Sequence, residues 1–416
     1  MFGKANPEVL VVGAGPVGLL AALALAKHGI QVAIVDREWR TGAHSYALAL
    51  HPHSLSLLQE LGIREEVLER AYGVRTIGLY DGKKRRCEMR ISDSARPLAV
   101  MRQDVLEQVL EQALERAGIK VLWNHAVSRL VSRSDCAVAT VDKLVKESVG
   151  YAVARTEWMV AKSSEIQVPF VIGADGHQSL VRRALGSDFP AAAPAQHYAV
   201  FEFESNANLG DEMRIMFGER TTDVLWPLPD RHCRWSFELL DDDAPAAART
   251  KNRIPVEIGG ARFPRLDEER LRELVAERAP WFAGQIERIY WRIMVRFEKR
   301  LASSFGRDRV WLVGDAGHLT GPAGMQSMNI GLREAKQLAD ILAGVLRGGG
   351  PVGQLRDYDR ERMSEWQFLL GRAGGFTSDA RTDPWIAQCS PRLLACLPAS
   401  GEDLVALGQQ IGLAVH

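Results

Sequence analysis

The sequence predicts an α/β (α+β) chain of two interleaved parts followed by a helical tail, and three observations carry that reading. A β-branched run, a glycine turn and an alanine-rich helix open the chain between Val9 and His28. Two more apolar runs, Phe170–Gly173 and Arg309–Gly314, end in glycine and aspartate far downstream. The stretch 186–299 holds short alternating runs of the kind that form a half-buried sheet.

The first element spans Val9 to Ala26, VLVVGAGPVGLLAALALA, which carries no charge and has the length of a membrane span. Its internal punctuation argues otherwise. Val9-Leu10-Val11-Val12 has the composition of a buried parallel strand. Gly13-Ala14-Gly15-Pro16-Val17-Gly18 then matches GxGxxG. Leu19–His28 is rich in good helix formers, and Gly29 is placed to end the helix. A second apolar run, Ile30–Val35, ends in Asp36 with Arg37 beside it. Three glycines and a proline suit a membrane helix poorly, and Lys4 alone is thin support for a secretory leader. The expectation is no membrane span and a cytoplasmic protein.

Strand, glycine turn, helix, strand and acid in that order read as a dinucleotide site. Gly13 permits the tight turn, Gly15 lets backbone approach a pyrophosphate, and Gly18 lets helix and strand pack closely. The helix N-terminus offers N–H groups and partial positive charge to phosphates. Asp36, 23 residues after Gly13, is placed to accept hydrogen bonds from a ribose.

Bulk composition excludes other classes. The 416 residues balance 52 Lys and Arg against 52 Asp and Glu, so no basic excess points to nucleic acid. The five cysteines, Cys87, Cys136, Cys233, Cys389 and Cys396, form no CxxC and are odd in number. Neither a disulfide framework nor a metal site is expected, and buried small residues in a reducing compartment fit best.

The two downstream clusters extend the pattern. Phe170-Val171-Ile172-Gly173-Ala174-Asp175-Gly176 runs from strand to turn to helix. Arg309-Val310-Trp311-Leu312-Val313-Gly314-Asp315 does the same and continues as LTGPAGMQSMNIGLREAKQLADIL. In that continuation Leu332, Ala335, Leu338, Ala339 and Leu342 recur at helical spacing. With these motifs in this order, the sequence resembles the FAD-dependent monooxygenases of the para-hydroxybenzoate hydroxylase type, the single-component aromatic hydroxylases. LRDYDRER, Leu355–Arg362, is similar to that family's continuation beyond its last FAD helix.

The resemblance implies a GxGxxG Rossmann-like FAD-binding domain with a mixed-sheet substrate domain inserted into it. It implies that Gly13, Gly15, Pro16, Val17 and Gly18 hold the FAD pyrophosphate, and Asp36 and Arg37 the adenosine end. Asp175 and Gly176 would serve both FAD and the nicotinamide donor, and Gly314 and Asp315 the ribityl side. Pro322 would lie beside the flavin as the one residue assigned to the catalytic centre, with no general base identified. Gly324, Met325, Gln326, Ser327, Met328 and Asn329 would bring backbone N–H groups to the flavin. Arg102 or Gln103 would touch FAD from the start of another helix.

The chain departs from the family at two places. Gly324-Met325-Gln326-Ser327 stands where relatives read Gly-Gly-Gln-Gly, so either Met325 and Ser327 are strained at positive φ or the loop has shifted. Tyr46 stands where many relatives place an arginine.

The expected organisation is a discontinuous FAD-binding domain at 1–75, 100–185 and 300–370. The substrate domain takes 76–99 and 186–299, with a helical segment at 371–416. Phe201, Phe203, Met216, Trp226 and Phe237 are candidates to line the substrate pocket, or equally a sheet core. Arg214 or Arg234 would pair with a substrate carboxylate if there is one. His51, His53, His197, His232 and Tyr198 are candidate proton acceptors by location, each better read as structural. Asp241–Thr250 reads as an acidic, alanine-rich loop, and Leu266–Ala279 as a charged amphipathic helix capped by Asp267.

The activity implied is hydroxylation of an aromatic or polyketide-like small molecule through a flavin hydroperoxide. NADPH or NADH would be the transient donor and O2 the oxidant, in a monomer or homodimer. A flavin-dependent halogenase is the first alternative, although Leu225-Trp226-Pro227-Leu228-Pro229 does not match that group's WxWxIP stretch. A flavoprotein reductase or oxidase is the second, and a non-redox binding protein of the same fold the third.

Overall fold

The structure is a computed structural model that describes residues 6–39, 49–91, 97–149, 155–240 and 266–415. It is a mixed α/β molecule built on two sheets. The first has five strands in the order Gly306–Arg307, Val310–Leu312, Phe170–Gly173, Val9–Val12 and Val32–Val35. All pair in parallel except the edge strand Gly306–Arg307. The middle strands are β-branched because both of their faces are buried. Val9 and Val11 point to the main core, whereas Leu10 and Val12 point to a second layer.

Each face is covered by a different kind of layer. Helices Pro16–Lys27, Gln103–Arg116 and Gln326–Gly348 pack on one side. The antiparallel strands His125–Ser132, Ala137–Val149 and Arg155–Val168 close the other, through Val127, Leu130, Ala139, Val141 and Ile166. Pro16 stands in the first turn of its helix, where its fixed φ suits the start and its missing N–H costs nothing.

The second sheet has eight strands: His318–Leu319, Ile286–Leu301, Ala191–Ser205, His232–Leu239, Thr222–Pro227, Glu212–Phe217, Thr76–Tyr80 and Arg85–Arg90. Only Glu212–Phe217 and Thr76–Tyr80 pair in parallel. Helix Glu268–Arg278 lies across one face, and the Asp267 carboxylate accepts the Arg270 N–H at 2.9 Å to cap it, as the sequence leads one to expect. The opposite face, with Ile77, Leu79, Met213, Ile215, Val224 and Trp226, merges with the main core under the first sheet.

The tail is only partly helical. After helix Gln354–Leu369, helices Pro384–Leu393 and Gly401–Gln410 are accompanied by a small antiparallel pair, Phe376–Ser378 with Leu413–Val415. All five cysteines are free, and four are buried. Among the described residues no helix is long and apolar enough to cross a membrane. The expected loop Asp241–Thr250 lies outside the described residues, as does Tyr46.

Close backbone approach explains the glycine turn. A Cβ on Gly18 would lie 2.0 Å from the Gly13 carbonyl oxygen, and one on Gly13, at φ +104°, 2.2 Å from that of Ala174. Backbone on both sides leaves nowhere to relax. Gly18→Ala is therefore expected to destabilise the chain by about 1–3 kcal/mol. A lowered urea midpoint with an unchanged slope is the measurement that checks it.

Candidate functional site

Parallel register brings the three glycine-aspartate motifs to one edge. Val12 pairs with Gly173, and Gly173 with Leu312, so the three strands end side by side. Their turns stay linked: the Ala174 N–H donates to Val12 O at 2.8 Å, and the Val313 N–H to Gly173 O at 3.0 Å. Gly15, Asp175 and Asp315 thus sit on adjacent turns at the carboxyl ends of one sheet, the place where open α/β sheets bind ligands.

The first turn is held from below and open above. Asp36 accepts the Ala14 N–H at 2.6 Å and the Glu38 N–H at 2.8 Å. Gly15 is half-buried, and a Cβ built on it would meet nothing within 4 Å. No side chain caps helix Pro16–Lys27 or helix Gln326–Gly348 at its N-terminus. Val17 packs where helix Gln326–Gly348 comes closest, since a Cβ on Gly331 would lie 2.9 Å from both Val17 Cγ2 and Gly314 Cα. Arg37 is exposed and pairs with Glu38 at 3.4 Å.

In the second turn the side chain does something the sequence reading did not assign. Asp175 accepts the Ser179 hydroxyl and the Leu180 and Val181 N–H groups, the last two at 2.7 and 3.1 Å. Burial pushes its carboxyl above the ordinary value, against these hydrogen bonds. Its carboxylate thereby shares the start of the short helix Leu180–Leu185 with the N-cap Ser179, whose oxygen accepts the Arg182 N–H at 2.9 Å.

The third turn meets a long loop. Gly314, at φ +61°, donates its N–H to buried Glu334 at 2.8 Å, and exposed Asp315 accepts the Ser327 hydroxyl at 2.6 Å. Met325 takes φ +50° and Ser327 is helical, so of the two replaced glycines only Met325 is strained. A non-glycine residue there costs of order 1–2 kcal/mol. Asn329 holds it in place: its amide donates to Met325 O and Ala49 O at 2.7 and 2.9 Å, and its oxygen accepts from His51 N–H and Ser54 Oγ–H, both at 2.8 Å. All four hydrogen-bonding positions of Asn329 are thereby used on the chain itself.

The tail completes the loop, which no sequence signal announced. Gly324 donates its N–H to Ala395 O at 3.2 Å, and the Gln326 amide donates to Leu394 O at 2.7 Å. A Cβ on Gly324 would lie 2.8 Å from Leu397 O and 2.9 Å from Ala395 O. Arg392, in the preceding helix, donates to Thr221 O and Gly218 O at 2.9 and 3.0 Å, which ties the same segment to the large sheet. Pro322 and Met328 are half-buried on either side of this loop.

Arg102 caps no helix through its side chain but pairs with Asp104 at 2.9 Å, and Gln103 donates to Glu107 at 2.8 Å. The pocket candidates divide by strand parity. Phe201, Phe203, Met216 and Phe237 lie in the core beneath helix Glu268–Arg278. Trp226, directly opposite Arg234, is on the other face. That face also carries Tyr198, Val200, Ile293 and Val295, together with the buried pair Arg234–Glu202 at 2.8 Å. Arg214 is likewise committed, to Glu212 at 2.8 Å. No group of three or more potential metal ligands occurs among the described residues.

A family model described as an FAD binding domain matches residues 6–371. A rifampicin monooxygenase of Streptomyces venezuelae is 28% identical over 358 residues, 85% of this chain and 68% of that protein. A 6-methylpretetramide 4-monooxygenase of Streptomyces rimosus is 28% identical over 364 residues, 86% of this chain but 59% of that one. The crystal structure of p-nitrophenol 4-monooxygenase from Pseudomonas putida DLL-E4 superposes with a TM-score of 0.71. It covers 98% of this chain and 96% of its own at 21% identity, a likeness of fold.

His51 gives the site a pH signature. It is buried, its Nε2 lies 2.9 Å from the Gly324 carbonyl oxygen, and burial drives its ring down from about 6.5 to about 3. The unfolded chain takes up this proton first, so stability is present above about pH 6.5 and is lost as pH falls toward about 3. Urea unfolding across that window should show the decline in the native chain and a shallower one in His51→Gln.

Proposed function

The chain belongs to the FAD binding domain family of FAD-dependent aromatic monooxygenases, and from that premise we propose that it hydroxylates an aromatic or polyketide-like small molecule. The nicotinamide donor is NADPH or NADH, and O2 supplies the oxygen atom. The observation that carries this reading is the single edge on which Gly15, Asp175 and Asp315 sit, set by the pairing of Val12, Gly173 and Leu312.

On this reading the residues fit FAD from end to end. The Gly13–Gly18 turn and the start of helix Pro16–Lys27 hold the pyrophosphate, and the open space above Gly15 is where it lies. Asp36 keeps lone pairs for the ribose beyond the two backbone bonds it accepts. Backbone at Ala174–Gly176 and the Asp315 carboxylate line the middle. The N–H groups of Ser327 and Met328, at an uncapped helix N-terminus, face the flavin ring and favour negative charge there. Bound FAD supplies the redox chemistry, passing electrons from the nicotinamide to O2 and an oxygen atom to the substrate.

The domains follow the two sheets: FAD-binding segments 1–75, 100–185 and 300–370, and substrate segments 76–99 and 186–299. The substrate then lies against the sheet face of Tyr198, Val200 and Trp226, not against the aromatic core on the far side. Pro322 orients the approach, and the tail at 394–397 fixes the loop that carries it.

Gly15→Ala separates site from fold. Its methyl meets no protein atom, so the apo chain should unfold at the native urea midpoint. FAD affinity should fall at least about tenfold, or 1.4 kcal/mol, by fluorescence titration. Phenolic compounds should accelerate NAD(P)H oxidation, with the product gaining one labelled atom from oxygen-18 gas. Stimulated oxidation without label in any product defeats the monooxygenase reading.

A further inference from the structure

A chain of polar side chains runs inward from the third turn. Asp315 is exposed and Ser327 half-buried, whereas the side chains of His318 and Glu334 are fully buried. The Ser327 oxygen lies 2.6 Å from Asp315 Oδ1 and 3.3 Å from His318 Nδ1. His318 Nε2 lies 2.8 Å from Glu334 Oε2. Glu334 also accepts the Gly314 N–H at 2.8 Å and the Trp366 indole N–H at 2.7 Å. The His318 ring is stacked on Trp366 with centroids 3.7 Å apart.

We propose that Glu334, His318, Ser327 and Asp315 form a proton relay opening at the cofactor site. The protons available fix the direction of each contact. A carboxylate only accepts, and a serine hydroxyl has one proton to give. At 2.6 Å that proton belongs to Asp315, so the contact between Ser327 and His318 Nδ1 is made by a proton on the ring. Glu334 is an acceptor too. Burial works to raise its carboxyl, yet its bonds to His318 and Trp366 and the charge of Arg362 leave it below the ordinary value. His318 Nε2 therefore brings the second proton, and the ring is the cationic partner of Glu334.

The surrounding groups fit that assignment. From helix Gln326–Gly348 the pair meets Ser327 and Glu334 itself. From helix Gln354–Leu369 it meets Trp366, with Arg362 acting on Glu334 and Tyr358 held protonated by burial. From the third turn it meets Asp315, whose charge also reaches His177, a ring that burial lowers. Arg182 donates to Ala316 O at 2.8 Å beside the same turn. Phe305 closes the remaining side at 6.1 Å.

One shift along the chain moves the Nδ1 proton to Ser327 Oγ and the Ser327 proton to Asp315 Oδ1. His318 ends neutral and Asp315 becomes a carboxylic acid, and no electron is transferred. Asp315 thereby changes from a hydrogen-bond acceptor to a donor toward whatever lies on the turn. The inference rests on the proposed FAD site, because negative charge arriving there on reduction is what would draw the proton outward.

Two measurements on the holoenzyme test it. Nitrogen-15 NMR of ring-labelled histidine should show one residue with both ring nitrogens protonated at neutral pH, absent in His318→Gln and neutralised in Glu334→Gln. Ser327→Ala, which perturbs the same signal without opening the core, identifies it should His318→Gln fail to fold. On anaerobic reduction of bound FAD the His318 ring should lose its Nδ1 proton, a change abolished in Ser327→Ala and restored in Ser327→Thr. A neutral His318 ring in the oxidised native enzyme, or a ring that stays cationic on reduction, overturns the relay. A chain that binds no FAD overturns the functional reading instead, while the ring protons stay readable in the apo form.

Discussion

The parallel register of three short strands is the constraint on which the rest depends. Val9–Val12, Phe170–Gly173 and Val310–Leu312 are separated by more than a hundred residues at each step, yet end level with one another. A slip of one residue would exchange Leu10 and Val12 with Val9 and Val11 between two chemically different layers. Those layers differ because one is built of helices and the other of a three-stranded sheet. The register is thus fixed by burial on both faces, and the alignment of the three turns follows from it.

The helix Gln326–Gly348 converts that alignment into a rigid edge. Gly331 lets it approach Gly314 and Val17 together, and Glu334, one turn further on, takes the Gly314 N–H. Removing the Glu334 carboxylate would leave the buried Gly314 and Trp366 N–H groups without their acceptor, at roughly 1–3 kcal/mol each. His318, Trp366 and the Gly314 backbone therefore have to stay where Glu334 needs them. The strain at Met325 is affordable only within this frame, since Asn329 pins its carbonyl and the carbonyls of residues 394–397 hold the neighbouring Gly324 and Gln326.

Much of this was legible in the sequence, and the illegible part has physical reasons. The strand-turn-helix units announce themselves because glycine, β-branched and alanine-rich stretches have local causes. Asp267 as a cap is equally local. The hydrogen bonds of Asp175 to the next helix went unannounced because a carboxylate at a strand end serves a ligand or the next helix with the same residues, and Ser179 four positions on was the available clue. The clamp by residues 394–397 is carried by backbone carbonyls, which leave no side-chain trace at all. His318 and Glu334 were passed over since a histidine and a glutamate sixteen residues apart become a pair only when a loop turns back onto its helix.

The pocket aromatics teach the reverse lesson. In Ala199-Val200-Phe201-Glu202-Phe203 the strand period of two puts Phe201 and Phe203 on one face and Val200 and Glu202 on the other. The amphipathic helix Glu268–Arg278 brings Leu271, Leu274 and Val275, which must bury against an apolar sheet face. The face with the most aromatic surface satisfies that helix best, and Trp281 and Phe282 at its end extend the same cluster. What remains for the other face is mixed in character, with Tyr198 and Trp226 beside the Arg234–Glu202 pair. Aromatic content along a strand therefore marks the face that the protein covers itself. The face left toward the first sheet is the one where Arg234 is already neutralised by Glu202 on the neighbouring strand, and such a surface is dry without being uniformly apolar.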